Sequence, residues 1–434
     1  MDKILFIFAC ATLGLASAYW GPDLPSGPFC GTNRQCCSDR RDDCSHKILG
    51  TLCYCDDFCN RTRVHDDCCP DYLPVCKGVA PSPIVKPCTL RGKPYLPGET
   101  VMDDCNACRC EKIPQSDPAA TPLTEPVCEH DPCLISREVI DGVNRPGNSW
   151  RATNYTQFHG KKLKQALVYK LGTLPLDPET SNVGAIVYNK KMTYPTEFDA
   201  RKKWPHYISP IVDQGWCGSD WAVSIAGVAS DRFAIQSNGA ENLMLSPQSF
   251  LSCNLRGQQG CEGGHIDNAW NFAFRHGIVD NDCLPYEARV SRCPSRKDST
   301  LQQDGCRPPV RQRTSRYRVS PPGRLRREED IMYDIMDSGP VQAIMTVYQD
   351  FFHYRDGVYR RTQYGRGDMK GLHSVRVVGW GEDRGDKYWI VANSWGTEWG
   401  ENGYFRIARG ENQSGIEWFV VTALAEVTES YMRK

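Results

Sequence analysis

Cysteine spacing constrains this chain more than any other feature. Of 23 cysteines in 434 residues, Cys10 stands in an apolar N-terminal stretch, and the other 22 fall into three groups. Ten lie between Cys30 and Cys76, six between Cys88 and Cys133, and six between Cys217 and Cys306. Each count is even, as complete pairing in an oxidising compartment requires. The N-terminus agrees with export. Lys3, the apolar run from Ile4 to Leu15 and Ala16-Ser17-Ala18 read as a secretory signal over residues 1–18. That run is too short to span a membrane, and no later one qualifies. Asn60, Asn154 and Asn412 each open an Asn-x-Ser/Thr tripeptide and are candidate glycosylation sites of an exported protein.

Lys+Arg and Asp+Glu both count 52, so bulk charge points to neither nucleic acid nor a membrane surface as partner. Length alone asks for several domains. Residues 19–80 are too polar to bury a real core and must lean on disulfides. The spacing Cys53-x-Cys55-x3-Cys59, then Cys68-Cys69-x-Asp71-Tyr72, resembles a somatomedin B module, although ten cysteines exceed the eight such a module carries. Close cysteine pairs can also bind metal, but adjacent Cys-Cys pairs behind an export signal favour disulfides, so no metal or cofactor is expected. A proline-rich linker, Pro81 to Pro87, leads into a second cysteine-rich module within 81–133. There Cys105-x2-Cys108-x-Cys110 loosely resembles a von Willebrand factor C or follistatin-type repeat.

From about Thr193 onward the motifs carry chemistry. Pro195-Thr-Glu-Phe-Asp-Ala-Arg201, Gln214-Gly-Trp-Cys-Gly-Ser-Asp-Trp221, Cys261-Glu-Gly-Gly264, Gly371-Leu-His373-Ser-Val375 and Asn393-Ser-Trp-Gly396 follow one another in that order. Together they resemble the cathepsin B branch of the papain-type cysteine peptidases. The resemblance implies an α+β fold: a papain-like two-lobe domain, one lobe helical and one β-barrel-like, over 193–434, preceded by small disulfide-rich modules. It also implies a Cys217–Cys261 disulfide, a cleft lined by Gly263, Gly264, Trp395 and Phe419, and a degenerate triad of Asp220, His373 and Asn393 with Gln214 as oxyanion-type donor. Asp220 stands where the family places its nucleophilic cysteine.

That substitution changes the chemistry. A cysteine peptidase needs a thiolate made anionic by a neighbouring His and a helix N-terminus. A carboxylate at a helix N-terminus is favoured as an anion, so Asp220 and His373 are expected to form an ion pair. Attack by a carboxylate on an amide would produce an anhydride, higher in energy than the peptide. Ser219 offers no rescue, because one residue along a helix turns the side chain by about a hundred degrees. An acid/base role for Asp220 and His373 on a water molecule is the functional alternative. With Asp220 counted out, the last cysteine group also leaves no odd thiol.

The resemblance further implies that 134–192, where Ile140-Asp-Gly-Val-Asn144 and Ser149-Trp150 stand, is a propeptide-like segment lying along the cleft. An enzyme would shed it; a pseudoenzyme has no activating step that demands removal. The region Cys283 to Cys306 holds no His, unlike the cathepsin B loop that grips a substrate's C-terminal carboxylate. Phe419 takes the place of the acidic residue at the base of that family's specificity pocket, giving a ligand an apolar wall.

Three features could bind partners. Arg307 to Arg327 holds eight arginines and no acidic residue; Arg311, Arg313, Arg316, Arg318, Arg324, Arg326 and Arg327 are candidates for sulfated glycans. The alternative is a solvated loop balanced by Glu328, Glu329 and Asp330. Arg366-Gly-Asp368 and Arg384-Gly-Asp386 are integrin-type tripeptides, useful only on exposed loops.

The order of signal, somatomedin B-like module, second cysteine-rich module and nucleophile-free cathepsin B-like domain resembles the tubulointerstitial nephritis antigen-like family. The likeness implies a secreted, catalytically inactive glycoprotein of the extracellular space or matrix. Its expected partners are extracellular proteins: matrix, an integrin-type receptor or, as an insect branch of the family implies, a lipid-modified Wnt whose acyl chain could enter an apolar pocket at Phe419. The competing expectation is an active papain-family peptidase of the lysosome or extracellular space, favoured by the intact Gln214, His373 and Asn393.

Overall fold

The computed structural model describes residues 27–427 except 33–34, 63–64, 80–86, 114–122, 177–182, 189–191 and 294–315. The export signal, Arg311, Arg313 and the side chain of Asn60 lie outside the described residues. The chain divides into two compact units, one ending at Glu99 but including Cys110–Pro126, the other made of Thr100–Arg109 and Val127–Lys434.

The first unit is built from short pieces: hairpin β1 (Ser45–Ile48) with β2 (Thr51–Tyr54), β3 (Asn60–Thr62) with β4 (His65–Asp66), helix α1 (Tyr72–Cys76), and hairpin β5 (Cys88–Leu90) with β6 (Lys93–Tyr95). Its core is mostly sulfur. Among the described residues, one cluster joins Ile48 and Tyr72 to six buried cysteines. The ten cysteines close as Cys30–Cys55, Cys36–Cys76, Cys37–Cys44, Cys53–Cys69 and Cys59–Cys68. Loop-closing bridges supply the order that so small a core cannot. The Asp71 carboxylate adds a local tie, accepting the N–H groups of Phe29, Cys30 and Gly31 at 2.8–2.9 Å.

The three disulfides within 81–133 fall in different units. Cys88–Cys110 belongs to the first unit, whereas Cys105–Cys133 and Cys108–Cys128 belong to the second. The reason is the hairpin of β7 (Thr100–Asp103) with β8 (Asn106–Ile113), which these two disulfides fasten to 127–133, at the end of β9 (Leu123–Cys128) and just after it.

The remainder of the second unit has a helical lobe and a sheet lobe. Helix α5 (Asp220–Gln236) is the axis of the first, packed by α6 (Gln248–Cys253) and α7 (Ile266–His276). Fourteen of its 17 residues are buried. Its many alanines and serines allow neighbours close on every side, as a helix in a lobe centre requires. The sheet lobe runs in the order β10 (Trp150–Ala152), β15 (Tyr354–Tyr359), β18 (Tyr404–Ala408), β17 (Asp386–Ala392), β16 (Lys370–Asp383), β14 (Val341–Tyr348), β19 (Val420–Thr422), β13 (Gly323–Leu325), β11 (Gly184–Ile186), with β12 (Phe198–Asp199) also on β16. Helices α4 (Ala200–Lys203) and α8 (Glu328–Ser338) cover parts of it.

The 134–192 segment is built into this lobe. Between α2 (Arg137–Val143) and α3 (Leu163–Tyr169) it contributes β10 to one sheet end, and β11 to the other. Val139, Trp150, Phe158, Leu163 and Ala166 share one core with Phe351, Phe352, Trp395 and Trp399. Phe158 meets Phe352 and Trp395 edge-on at 5.7 and 6.0 Å. Each such large side chain contributes about 2 kcal/mol by burial.

One anchor of this segment is titratable. Ser136 caps α2 through its hydroxyl, and its own N–H donates to His353 Nε2 at 3.3 Å. His353 is fully buried. Burial pushes its pKa down to about 4, against a smaller upward pull from backbone contacts at Thr153 and Leu134. Above about pH 6.5 the residue is neutral in both folded and unfolded chains. As pH falls from 6.5 towards 4 the unfolded chain takes up the proton first, so stability is lost, by about 3 kcal/mol. Urea unfolding at pH 7 and pH 4 should show this loss, and His353→Gln, which keeps an acceptor, should shrink it by that amount.

Candidate functional site

Asp220 opens α5, where the helix N-terminus favours its charge. His373 lies on β16 opposite Met345 of β14, and Asn393 follows directly after β17. The antiparallel β16–β17 pairing brings these two side chains together. His373 Nε2 lies 2.8 Å from Asn393 Oδ1, which also accepts the N–H of Ser394. The amide oxygen can only accept, so Nε2 carries a proton and Nδ1 is left facing Asp220. Nδ1 stands 3.2 Å from Asp220 Oδ2, within ion-pair range, yet it has no well-aligned hydrogen bond. The separation and the poor alignment describe one contact: a charge-range encounter in which the ring is turned off the oxygen. Both side chains are wholly buried.

The Asp220 carboxylate takes its hydrogen bonds elsewhere. Oδ1 accepts the N–H of Gly172 at 2.6 Å. Oδ2 accepts the hydroxyl of Thr173 at 2.5 Å and the N–H of Ser374 at 2.8 Å. The first two donors belong to the propeptide-like segment, 47 and 48 residues away in sequence. Sequence reasoning missed both, because Leu171-Gly-Thr-Leu174 carries no motif beyond a glycine beside a small hydroxyl residue.

The expected cleft is therefore occupied. Gly264 donates its N–H to Gly172 O at 2.8 Å and accepts that of Leu174 at 3.0 Å. Thr173 bridges Gly264 on one side and Leu372 on the other. Gly263 lies against the same strand: a Cβ there would meet Gly172 O at 2.8 Å. Trp395 is fully buried, roofed by Phe158, with Gln157 donating to its carbonyl at 3.5 Å. The chain's own propeptide-like segment thus fills the cleft along these residues, and its apolar side chains complete the lobe's core.

Gln214 is present but engaged. Its Nε2 donates to Cys217 O at 2.8 Å and faces the carbonyls of Tyr169 and Lys170, while its Oε1 accepts from Ser394 Oγ. Ser219 Oγ pairs with Tyr286 OH at 2.5 Å, away from the Asp220–His373 pair. Lys170 is buried with its amine over Trp216, and burial lowers its pKa despite Asp213 at 3.7 Å. The Cys217–Cys261 disulfide is formed beside the site, and Cys253 pairs with Cys293.

Other singled-out residues are dispersed. Phe419 is 2% exposed, and the Arg324 guanidinium lies 4.8 Å over its ring. Core packing and that cation cover the Phe419 ring. Among the described residues, the arginines of this run have separate partners. Arg324 donates to Trp418 O, Arg327 holds Asp330 in a two-pronged pair, and Arg316 donates to His276 O, leaving Arg318 and Arg326 turned to solvent. The acidic start of α8 and the neighbouring aromatics claim these cations. Arg366, Gly367 and Asp368 are exposed in the loop before β16. Arg384 is 96% exposed on the β16–β17 hairpin, whereas Asp386 pairs with Arg360 at 3.2 Å. Asn154 and Asn412 are exposed.

Comparison with known proteins fits this geometry. The profile of the family described as "Papain family cysteine protease" matches residues 194–424. "Tubulointerstitial nephritis antigen-like" of Mus musculus is 39% identical over 421 residues, covering 91% of this chain and 88% of that one. "Tubulointerstitial nephritis antigen" of Homo sapiens is 37% identical over 434 residues, covering 93% and 88%. Among solved structures, "proCathepsin B S9 from Trypanosoma congolense" matches with TM-score 0.60 and 31% identity, over 68% of this chain and all of that one. Two-lobe fold, site positions and near full-length likeness agree: this chain belongs to the papain family, with the tubulointerstitial nephritis antigens and their antigen-like relatives.

Proposed function

We propose that this is a secreted, non-proteolytic glycoprotein that uses the cathepsin B-like fold as a binding scaffold in the extracellular space. The observation that carries the reading is the carboxylate at position 220, facing His373 with no nucleophile beside it. Its ligand is an extracellular protein: matrix, an integrin-type receptor or a lipid-modified Wnt. The partner-binding surface lies outside the cleft, whose binding strand Gly263–Gly264 is already paired. No helix among the described residues is long and apolar enough to cross a membrane.

The test compares wild type with Asp220→Cys on a fluorogenic dipeptide substrate, the 134–192 segment being trimmed from both in vitro and each trimmed form first shown by circular dichroism to keep its fold, because that segment shares the sheet-lobe core. Wild type should show no turnover. A thiolate at 220 would have His373 and Asn393 already in place, so the Cys form should exceed wild type by at least about 10³-fold. Turnover by wild type would sink the proposal and favour the second reading, an active peptidase, for which the intact Gln214, His373 and Asn393 speak.

A further inference from the structure

Asp220 sits where three chain segments cross: the start of α5, strand β16 and the stretch Leu171–Leu174. Its two oxygens serve all three. Oδ1 holds Gly172 N–H, while Oδ2 holds Thr173 Oγ1 and Ser374 N–H and faces His373. An ionised carboxylate offers about four acceptor positions, and these donors fill three of them; a serine hydroxyl has two and a thiol accepts weakly. We infer that Asp220 is a fastening residue, whose carboxylate holds Leu171–Leu174 in the cleft as a permanent strand between the two lobes and makes the 134–192 segment a structural part of the working protein. This goes beyond the loss of proteolysis, since many other residues at 220 would abolish attack without gripping anything.

Independent features of the same place support it. Thr173 is paired at once with Gly264, next to the helical lobe, and with Leu372 on β16, so one residue ties both walls of the cleft. Thr173 Oγ1 also lies 2.7 Å from Ser374 Oγ, which joins the hydroxyls into the same network. The flanking Leu171 is 5% exposed within the sheet-lobe core. Pulling the strand out would strip a wholly buried carboxylate of two of its donors, an outcome the fold resists because buried acceptors left unmet are costly.

The test is peptide-resolved hydrogen exchange on the full-length secreted protein. In wild type the amides of Gly172 and Leu174 should exchange as slowly as those of β14 and β16. Asp220→Asn keeps the shape but turns one acceptor oxygen into an amide donor facing donors. It should speed exchange over Leu171–Leu174 at least tenfold while leaving β17 and β18 unchanged. Thr173→Val removes one donor and should act in the same direction more weakly, adding nothing in the Asp220→Asn background. Unchanged exchange in Asp220→Asn overturns the inference, as does an intact mass showing that the secreted chain has lost 134–192. Should Asp220→Asn fail to fold, Thr173→Val decides alone, and unaltered exchange there overturns it. Peptide turnover by wild type would count against the non-proteolytic reading instead, so the two failures are distinguishable.

Discussion

Gly172→Ala should lower stability by roughly 3–5 kcal/mol and lower the melting temperature by on the order of 10 °C. A Cβ at 172 would stand 1.9 Å from Gly218 O and 2.2 Å from its carbonyl carbon. Both are backbone atoms, and they cannot yield cheaply. Gly218 follows Cys217, bridged to Cys261, and donates its N–H to Cys261 O at 2.7 Å. The strand must therefore lift, and Gly172 N–H and Thr173 Oγ1 leave Asp220 as it does. The cost combines overpacking with a buried carboxylate losing donors. Gly184→Ala is the control, since a Cβ there meets nothing within 4 Å. Thermal melting followed by circular dichroism measures both; similar small shifts would show that the strand is loosely held.

A comparable loss is expected for Asp334→Ala. Arg232 of α5 and Asp334 of α8 are both about 1% exposed and meet at 2.5 Å. The guanidinium also donates to the carbonyls of Gly339, Pro340 and Ala423. Asp334 in turn accepts from Tyr188 OH at 2.7 Å and Thr422 Oγ1 at 2.6 Å. Removing the carboxylate leaves a buried cation uncompensated, which costs about 3–5 kcal/mol. The double change Arg232→Met with Asp334→Leu should recover part of it, because two apolar side chains carry no desolvation penalty but leave the carbonyls of Gly339, Pro340 and Ala423 without this donor. Urea unfolding of the three forms checks this, and a double variant as unstable as Asp334→Ala would refute it.

The sheet and helix pattern was legible where periodicity is strong. Alternation predicts a strand over Val341–Tyr348, and β14 has those bounds. Helical spacing predicts Glu328–Met336, and α8 runs two residues further, to the Gly339 stop. The site positions Gln214, Asp220, His373 and Asn393 were legible because each sits in a local motif. That 134–192 lies along the cleft was expected too; which of its residues meet Asp220 was not. Asp220's donors arrive from Gly172 and Thr173, and closure at Phe419 depends on Arg324, 95 residues earlier along the chain. Such pairings are set by tertiary packing and leave no periodic trace. The partners of the arginine run were hidden for the same reason: spacing shows how many cations a loop carries, not which carboxylates or rings pair with Arg324 and Arg327.

The disulfides give the substitution at 220 one more meaning. Every cysteine among the described residues is bridged. A sulfur at position 220, beside His373 and at the start of α5, would be the only reduced one among them, and low-pKa thiolates are what initiate exchange. It would lie three residues from Cys217 and its bridge to Cys261. In the extracellular space proposed above, no glutathione pool would repair a shuffled bridge. With oxygen atoms at that position no reduced cysteine stands among the described residues to initiate exchange.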